Sequence, residues 1–202
     1  MDFSLYKLLN DFVGDHRALA DLARFVAEDA QFFFVALLAI LFMARGKWRS
    51  ANGRHGVVAA GFSALLGLAA AHAIATVWER PRPYLAHPAD AHLLVGRSQD
   101  SSFPSDHATA AFAIAVAIWL RHRRAGWLAL GMAAVLSVSR VAVGTHYPTD
   151  ILGGALIGTL AALLLWLPPL RERLRLLAEW AGGLYDRVAA GLLARLPGAQ
   201  ST

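Results

Sequence analysis

The chain has 202 residues, a length that fits one domain or at most two. It is 57% hydrophobic and only 16% charged, against about 25% charged in ordinary soluble domains, which excludes a typical soluble fold. The formal net charge is +5, but the basic residues stand at the ends of apolar runs, so their pattern favours a membrane surface over nucleic acid. The chain contains no cysteine, which excludes disulfides and thiolate metal sites.

The first 29 residues mix apolar and acidic side chains. Apolar residues such as Phe3, Leu8 and Phe12 recur at helical spacing, and Asp2 and Asp11 lie among them. This pattern is typical of an amphipathic helix that lies in the membrane interface. The sequence therefore predicts an interfacial N-terminal segment over residues 1–29.

Five apolar stretches follow, each able to span or nearly span a bilayer, which takes about 20 apolar residues in a helix. The first stretch is short and is expected to start earlier, near Phe25. The sequence predicts an all-α fold, an integral membrane helical bundle with about five transmembrane helices plus interfacial N- and C-terminal helices. It forms one membrane-embedded domain over 1–202, with the transmembrane core at 30–167. The five stretches are 30–44, 56–78, 103–120, 126–143 and 151–167.

Basic residues fix the expected orientation. With five spans, the loop 45–55, the turn 121–124 and the start of the amphipathic C-terminal helix predicted at 171–195 all fall on one face. Because cytoplasmic loops are enriched in lysine and arginine, this face is predicted to be cytoplasmic, and the opposite face to be the outside of a bacterial inner membrane. The residues concerned are Arg45, Lys47, Arg49 and Arg54, then Arg121, Arg123 and Arg124, then Arg171, Arg173 and Arg175.

Polar residues collect in three groups at the outward ends of the spans, at 79–83, 104–107 and 139–150. Ionisable residues at membrane depth are costly and are usually functional. In the middle group, Pro104 suits the first turn of a helix that then contains Ser105 and His107. Backbone N–H groups in such a turn bind phosphate, Ser105 adds a hydroxyl donor, and His107 can donate a proton. A helix cap without chemistry explains this group equally well.

The third group is more specific. Arg140 ends the fourth span, and His146 and Asp150 stand four residues apart at the entry to the fifth. A carboxylate near an imidazole fixes its tautomer and leaves the other ring nitrogen free as a nucleophile or base. Arg140 and Arg82 offer planar forks that match phosphate oxygens. A buried Arg–Asp pair explains one arginine, but not two arginines and two histidines that converge on one face.

These residues resemble the type-2 phosphatidic acid phosphatase superfamily. The pattern stands here as Arg82-Pro83, as Pro104-Ser105-Asp106-His107, and as Ser139-Arg140 with His146 and Asp150 at the family spacing. Asp106, the short chain and the five spans look most like bacterial undecaprenyl-diphosphatases of the bacitracin-resistance type. The chain departs from the family in the first motif, where Ala75 stands in place of a lysine. Arg80 or His72 could supply the missing charge.

The resemblance implies a reaction and its residues. His146 is expected to attack phosphorus and form a phosphohistidine, while Asp150 holds its ring and His107 serves as general acid and then base. Arg82, Arg140 and Ser105 are expected to bind the phosphoryl group. No metal or other cofactor is expected, because two arginines can neutralise the phosphate charge, although His107, His146 and Asp150 could in principle bind a metal.

The expected substrate is undecaprenyl diphosphate, hydrolysed to undecaprenyl phosphate and inorganic phosphate. A broader lipid phosphatase, acting on phosphatidic acid or phosphatidylglycerol phosphate, would use the same site. A transporter or structural membrane protein with buried ion pairs is the alternative from another class. The expected partners are the lipid substrate and membrane lipids, with no nucleic acid, and the sequence indicates no obligate protein partner.

Overall fold

The structure is a computed structural model that describes residues 1–43 and 51–193. These residues form eight helices and no strand, so the predicted all-α fold is confirmed. The helices are α1 (Asp2–Gly14), α2 (Arg17–Met43), α3 (Ala51–Ala75), α4 (Pro83–Ala86), α5 (Asp106–Arg121), α6 (Arg123–Ala142), α7 (Pro148–Leu165) and α8 (Pro168–Leu193).

Four helices in the described part of the chain are long and apolar enough to cross a membrane, namely α2, α3 from Arg54 onward, α6 and α7. The remaining predicted stretch forms α5, which has 16 residues and is shorter than an ordinary span. The α5 helix lies at the centre and packs against α3, α6 and α7. The predicted helical bundle is thus confirmed, with four long apolar helices and one short central helix.

Small residues explain how α5 can occupy the centre. Its buried face consists largely of alanines, among them Ala108, Ala113 and Ala117. In lipid, helices gain little from burying large apolar side chains and associate instead through close backbone approach at small residues. A helix with this face can therefore contact several neighbours at short range.

Helices α5 and α7 approach each other closely at Gly154 and Gly158, which form one glycine stripe. A β-carbon added at Gly154 would lie 2.5 Å from the carbonyl oxygen of Ser105, and one added at Gly158 would collide with the carbonyl oxygen of Thr109. The glycines therefore let the N-terminal ends of α5 and α7 lie side by side. This contact brings Asp150 next to the segment that begins α5.

Gly158→Ala is expected to lower the free energy of unfolding by about 1–3 kcal/mol, because the added methyl group forces two helix backbones apart. The measurement is the thermal unfolding midpoint of the purified protein in detergent. Gly61→Ala is the matched control, since a β-carbon there meets no atom within 4 Å. Equal midpoints for the two variants would contradict this view of the helix contact.

The N-terminal region differs from the predicted single interfacial segment. The first helix ends at Gly14, and residues 17–29 form the first half of α2, which starts well before Phe25. Ala20, Ala27 and Phe34 are buried on one face of α2, so one continuous stripe packs against the bundle. This stripe explains why the helix continues through the acidic residues near position 29. An interfacial position of α1 stays a prediction.

The C-terminal helix packs against α3 through a buried ion pair. The guanidinium of Arg54 donates to both carboxylate oxygens of Asp186, at 2.8 and 3.1 Å, and the Arg54 side chain is only 4% exposed. Arg54 therefore belongs to the contact between α3 and α8 and is not a surface charge. The other basic residues of the predicted loop, Arg45, Lys47 and Arg49, and the predicted helix end at 194–195 lie outside the described residues.

Candidate active site

A cavity of about 580 Å³ opens between the C-terminal ends of α3 and α6, the start of α5 and the turn that precedes α7. Four predicted site residues line it, Arg82, His107, Arg140 and His146. They come from three separate parts of the chain, as the sequence motifs required. The other lining residues are His72, Ala75, Thr76, Gly96, Ser98, Asp100, Ser101, Pro104, Asp106 and Thr145.

A tight turn between α6 and α7 brings His146 to the cavity wall. Gly144 adopts a φ of 90°, and a β-carbon there would lie 2.5 Å from the carbonyl oxygen of His92. The hydroxyl of Thr145 donates to the carbonyl of Arg140 at 2.8 Å and closes the turn. The left-handed turn therefore needs glycine, and it places Arg140 and His146 on the same cavity.

The neighbours of His146 determine its tautomer. Its Nδ1 lies 2.8 Å from the carbonyl oxygen of Ser102, which can only accept a hydrogen bond, so Nδ1 carries the proton. Its Nε2 lies 3.3 Å from Nη1 of Arg82, which can only donate. The neutral ring therefore has its lone pair on Nε2, beside an arginine of the cavity.

Burial keeps this imidazole neutral. Only 2% of His146 is exposed, and this desolvation lowers its pKa below the usual value of about 6.5, although the nearby Asp150 acts in the opposite direction. A neutral imidazole is the form that can act as a nucleophile. At neutral pH the side chain is therefore in the reactive state.

Asp150 lies behind His146 and does not line the cavity. Its Oδ2 is 3.6 Å from Nδ1 of His146, which is too long for a hydrogen bond, so the Ser102 carbonyl is the direct partner of the ring. Asp150 is fully buried and accepts hydrogen bonds from the Ser102 hydroxyl, the Tyr147 N–H and the Arg80 guanidinium, at 2.5, 2.8 and 2.6 Å. It thus anchors the segments on both sides of the ring.

The two predicted arginines are held by backbone carbonyls. Arg82 donates to the carbonyls of Asp100 and Thr145, at 3.1 and 3.3 Å, and Arg140 donates to the carbonyl of Ala27 at 3.1 Å. The Nε of Arg140 is buried and has no hydrogen-bond partner. A buried donor without a partner is costly, and a bound anion would satisfy it.

His107 lies in the first turn of α5 and lines the same cavity as His146. The two imidazoles predicted to act in turn on one phosphoryl group therefore share one space. Asp106 precedes His107 and also lines the cavity. The first-turn N–H groups of α5 lie beside this wall, where the positive end of the helix dipole favours an anion.

Ser105 does not line the cavity. Helix α5 begins at Asp106, so Ser105 is its N-cap and Pro104 precedes the cap instead of occupying the predicted first turn. The Ser105 hydroxyl accepts a hydrogen bond from the Ala108 N–H at 3.5 Å, and the residue is fully buried. This capping role follows the usual preference for serine at helix starts. Its predicted contact with substrate stays a prediction.

Arg80 does not supply the charge that the cavity lacks at Ala75. Its guanidinium bonds to Asp2 and Asp150 at 2.6 Å each and stacks over the ring of Tyr147 at 4.1 Å. His72, in contrast, lines the cavity together with Ala75. Sequence reasoning missed the contact with Asp2, since nothing in the sequence relates two residues 78 positions apart.

No group of three or more histidine, aspartate or glutamate side chains within residues 1–43 and 51–193 could hold a metal ion. His107, His146 and Asp150, named above as possible ligands, do not converge in this way. The expectation of hydrolysis without a metal stays a prediction.

The model of the PAP2 superfamily matches residues 56–173, more than half of the chain. The chain belongs to the PAP2 superfamily. Its matched region begins in α3, contains the whole cavity and ends at the start of α8. The resemblance proposed from the three motifs is therefore confirmed.

Curated relatives extend over most of this PAP2 protein. It is 30% identical to the undecaprenyl-diphosphatase BcrC of Bacillus subtilis, over 81% of this chain and 82% of the relative. It is 29% identical to the putative undecaprenyl-diphosphatase YbjG of Escherichia coli, over 82% and 83%. The resemblance to the bacitracin-resistance type is thereby confirmed.

Solved structures share the fold. The Aquifex aeolicus LpxE structure is 24% identical and has a TM-score of 0.66, covering 81% of this chain and 93% of that one. A transmembrane PAP2-type phosphatidylglycerolphosphate phosphatase from Bacillus subtilis is also 24% identical, with a TM-score of 0.54 and coverage of 80% and 82%. The apolar helices and this shared fold identify the chain as a membrane protein.

Proposed function

We propose that this PAP2 protein hydrolyses undecaprenyl diphosphate to undecaprenyl phosphate and inorganic phosphate through a phosphohistidine on His146. The observation that carries the proposal is the tautomer of His146, whose Nε2 lone pair lies beside Arg82 in a cavity shared with His107. The names of the curated relatives support the choice of a polyprenyl diphosphate.

The first step is an attack of Nε2 of His146 on the terminal phosphorus. A P–N bond forms, the P–O bond to the lipid phosphate breaks, and His107 donates a proton to the departing oxygen. As the phosphoryl group binds, its oxygens replace Nε2 of His146 as the hydrogen-bond partner of Arg82. They also accept a hydrogen bond from Nε of Arg140, which has no partner among the described residues. Such preorganised donors stabilise charge that develops in the transition state.

The second step is hydrolysis of the phosphohistidine. His107, now unprotonated, accepts a proton from a water molecule that attacks the phosphorus, and the P–N bond breaks. Inorganic phosphate leaves, and both imidazoles return to their starting protonation states. The proton that His107 gives in the first step is thus recovered in the second.

An apolar groove gives a place for the lipid chain. It has a volume of about 310 Å³ and adjoins the cavity through Asp106 and His107. Phe34, Leu68 and Ile114 contribute apolar walls from three helices. A substrate with its phosphates in the cavity and its first prenyl units in this groove would satisfy both surfaces.

The cavity is proposed to face the outside of the bacterial inner membrane. It lies at the N-terminal end of α5 and beside the turn that precedes α7, whereas Arg121 ends α5, Arg123 begins α6 and Arg171 follows α7. Because basic residues are retained on the cytoplasmic side, this arrangement favours an outward-facing site.

The test is phosphate release by the purified protein in detergent, from undecaprenyl diphosphate and from phosphatidic acid, with and without a metal chelator. The expected result is faster release from the diphosphate and the same rate with chelator, because arginines neutralise the phosphate charge. If phosphatidic acid is turned over faster, the proposed substrate is wrong and the protein is a broader lipid phosphatase. Loss of activity with chelator would contradict the proposed mechanism.

A further inference from the structure

Helix α1 is connected to the candidate site by a network of ion pairs and hydrogen bonds. The Asp2 carboxylate bonds to Nη2 of Arg80 at 2.6 Å, and Nη1 of Arg80 bonds to Oδ1 of Asp150, also at 2.6 Å. Asp2 also accepts hydrogen bonds from the backbone N–H and the hydroxyl of Thr149, at 3.1 and 2.5 Å. One arginine thus bridges a carboxylate of α1 and the carboxylate behind His146.

The rest of α1 is fixed by buried contacts as well. The Asn10 side chain donates to the carbonyls of His92 and Ala142, at 2.8 Å each, and accepts from the His92 N–H. Tyr6 and Asn10 are fully buried. The position of Asp2 is therefore set by the packing of the whole helix and is not that of a loose surface charge.

The geometry points to Asp2 and Arg80 as positioning residues for the His146–Asp150 pair, which makes α1 part of the active site; this inference rests on the proposed function. Neither residue lines the cavity, so both act through Asp150. Arg80 occupies Oδ1 of Asp150 and leaves Oδ2 for the Ser102 hydroxyl and the Tyr147 N–H. These two bonds hold the segments that flank the His146 ring.

Charge gives Asp2 a second effect. Burial alone would raise the pKa of Asp2, but hydrogen bonds from Thr149 and Arg80 lower it by a larger amount. The pKa therefore lies below its usual value, and Asp2 is ionised at neutral pH. Arg80 is therefore balanced by two carboxylates. Without the charge of Asp2, Arg80 would offset more of the negative charge of Asp150, and a positive charge on His146 would become less stable.

The experiment measures kcat, KM and the pH profile of phosphate release from undecaprenyl diphosphate for wild type, Asp2→Asn, Asp2→Glu and Arg80→Lys. Asp2→Asn is expected to lower kcat about tenfold with KM unchanged, as for other residues that orient a reactive ligand. Asp2→Glu is expected to recover most of this loss. Arg80→Lys should also lower kcat, because a lysine cannot bridge Asp2 and Asp150 in the fork geometry.

The pH profile separates positioning from mere folding. His146 must be neutral to attack, so kcat/KM falls as the pH drops through its pKa, and Asp2→Asn should move this acid limb to lower pH. The charged and titratable groups near His146 are the same residues in wild type and variant. They are Arg82, Arg140, Asp106, His107 and Asp150. A merely structural role would not move the limb.

Asp11→Asn is the matched control. Asp11 lies on the same helix as Asp2, but it pairs with Lys7 and not with Arg80. It should match wild type in rate and pH profile. An inactive wild type would refute the proposed function itself. An active wild type with an Asp2→Asn variant of unchanged kcat and unchanged acid limb would overturn the positioning role alone.

Discussion

His146→Gln is expected to lower kcat for phosphate release by at least about 10⁴-fold, because it removes the atom that forms the covalent intermediate. Glutamine keeps a polar side chain of similar size, so the cavity should retain its shape and still bind substrate. The measurement is turnover of undecaprenyl diphosphate, together with isolation of phosphorylated protein under alkaline conditions. Wild type should yield a phosphohistidine, and the variant should yield none.

His92→Gln is the matched control, since the His92 side chain is 53% exposed and its Nε2 lies 3.6 Å from Asp11, outside the cavity. It should behave as wild type. A phosphohistidine still formed in the His146 variant would assign the nucleophile to another residue. Equal turnover by that variant and by wild type would remove His146 from the nucleophile role.

The sequence predicted well which candidate residues lie close together when they are near one another in the chain. Arg140, His146 and Asp150 lie within eleven residues across one helix boundary, so any folding of that boundary keeps them close. The link from this group to Arg82 and His107 was inferred from the order of the spans, which places all of these residues on one face, and from the resemblance. The structure brings Arg82, His107, Arg140 and His146 to one cavity, while their catalytic and binding roles await experiment.

The exact helix starts could not be predicted. Pro104 suits the first helical turn by its fixed φ, but Ser105 provides a side-chain acceptor for the Ala108 N–H, and this cap moves the helix start to Asp106. This position matters for function, because the capping residue Ser105 is buried and does not line the cavity. Local propensity allows both arrangements, and in the observed one the Ser105 carbonyl lies close against Gly154.

The contacts around Arg80 were beyond sequence reasoning for a different reason. The sequence suggested that Arg80 could supply the charge that is missing at Ala75. In the structure, Arg80 forms ion pairs with Asp2 and Asp150, which are 78 and 70 residues away in the chain. Long-range pairing of this kind leaves no local pattern, so only the fold reveals it.

Arg82→Lys is expected to lower kcat/KM by about 10²–10³-fold, the usual cost of losing a preorganised donor at the reacting group. Arg82 is 8% exposed, and its guanidinium reaches two backbone carbonyls and Nε2 of His146 at once. A lysine carries the same charge on a single point and cannot keep these directions together. The effect would therefore measure geometry and not charge.

Arg24→Lys provides the matched control for this substitution. Arg24 donates to the carbonyl of Leu94 from a half-exposed position on α2 and does not line the cavity. Its change to lysine should leave kcat/KM near that of wild type. Comparable losses in both variants would point to general destabilisation of the bundle.

If Arg82→Lys alone loses activity while its unfolding midpoint is unchanged, the loss is caused by the changed orientation of the donor toward the phosphoryl group. That result would also explain how a PAP2 site with Ala75 in place of the family lysine can act on a diphosphate, because two fixed arginine forks would then carry the binding of the transferred group.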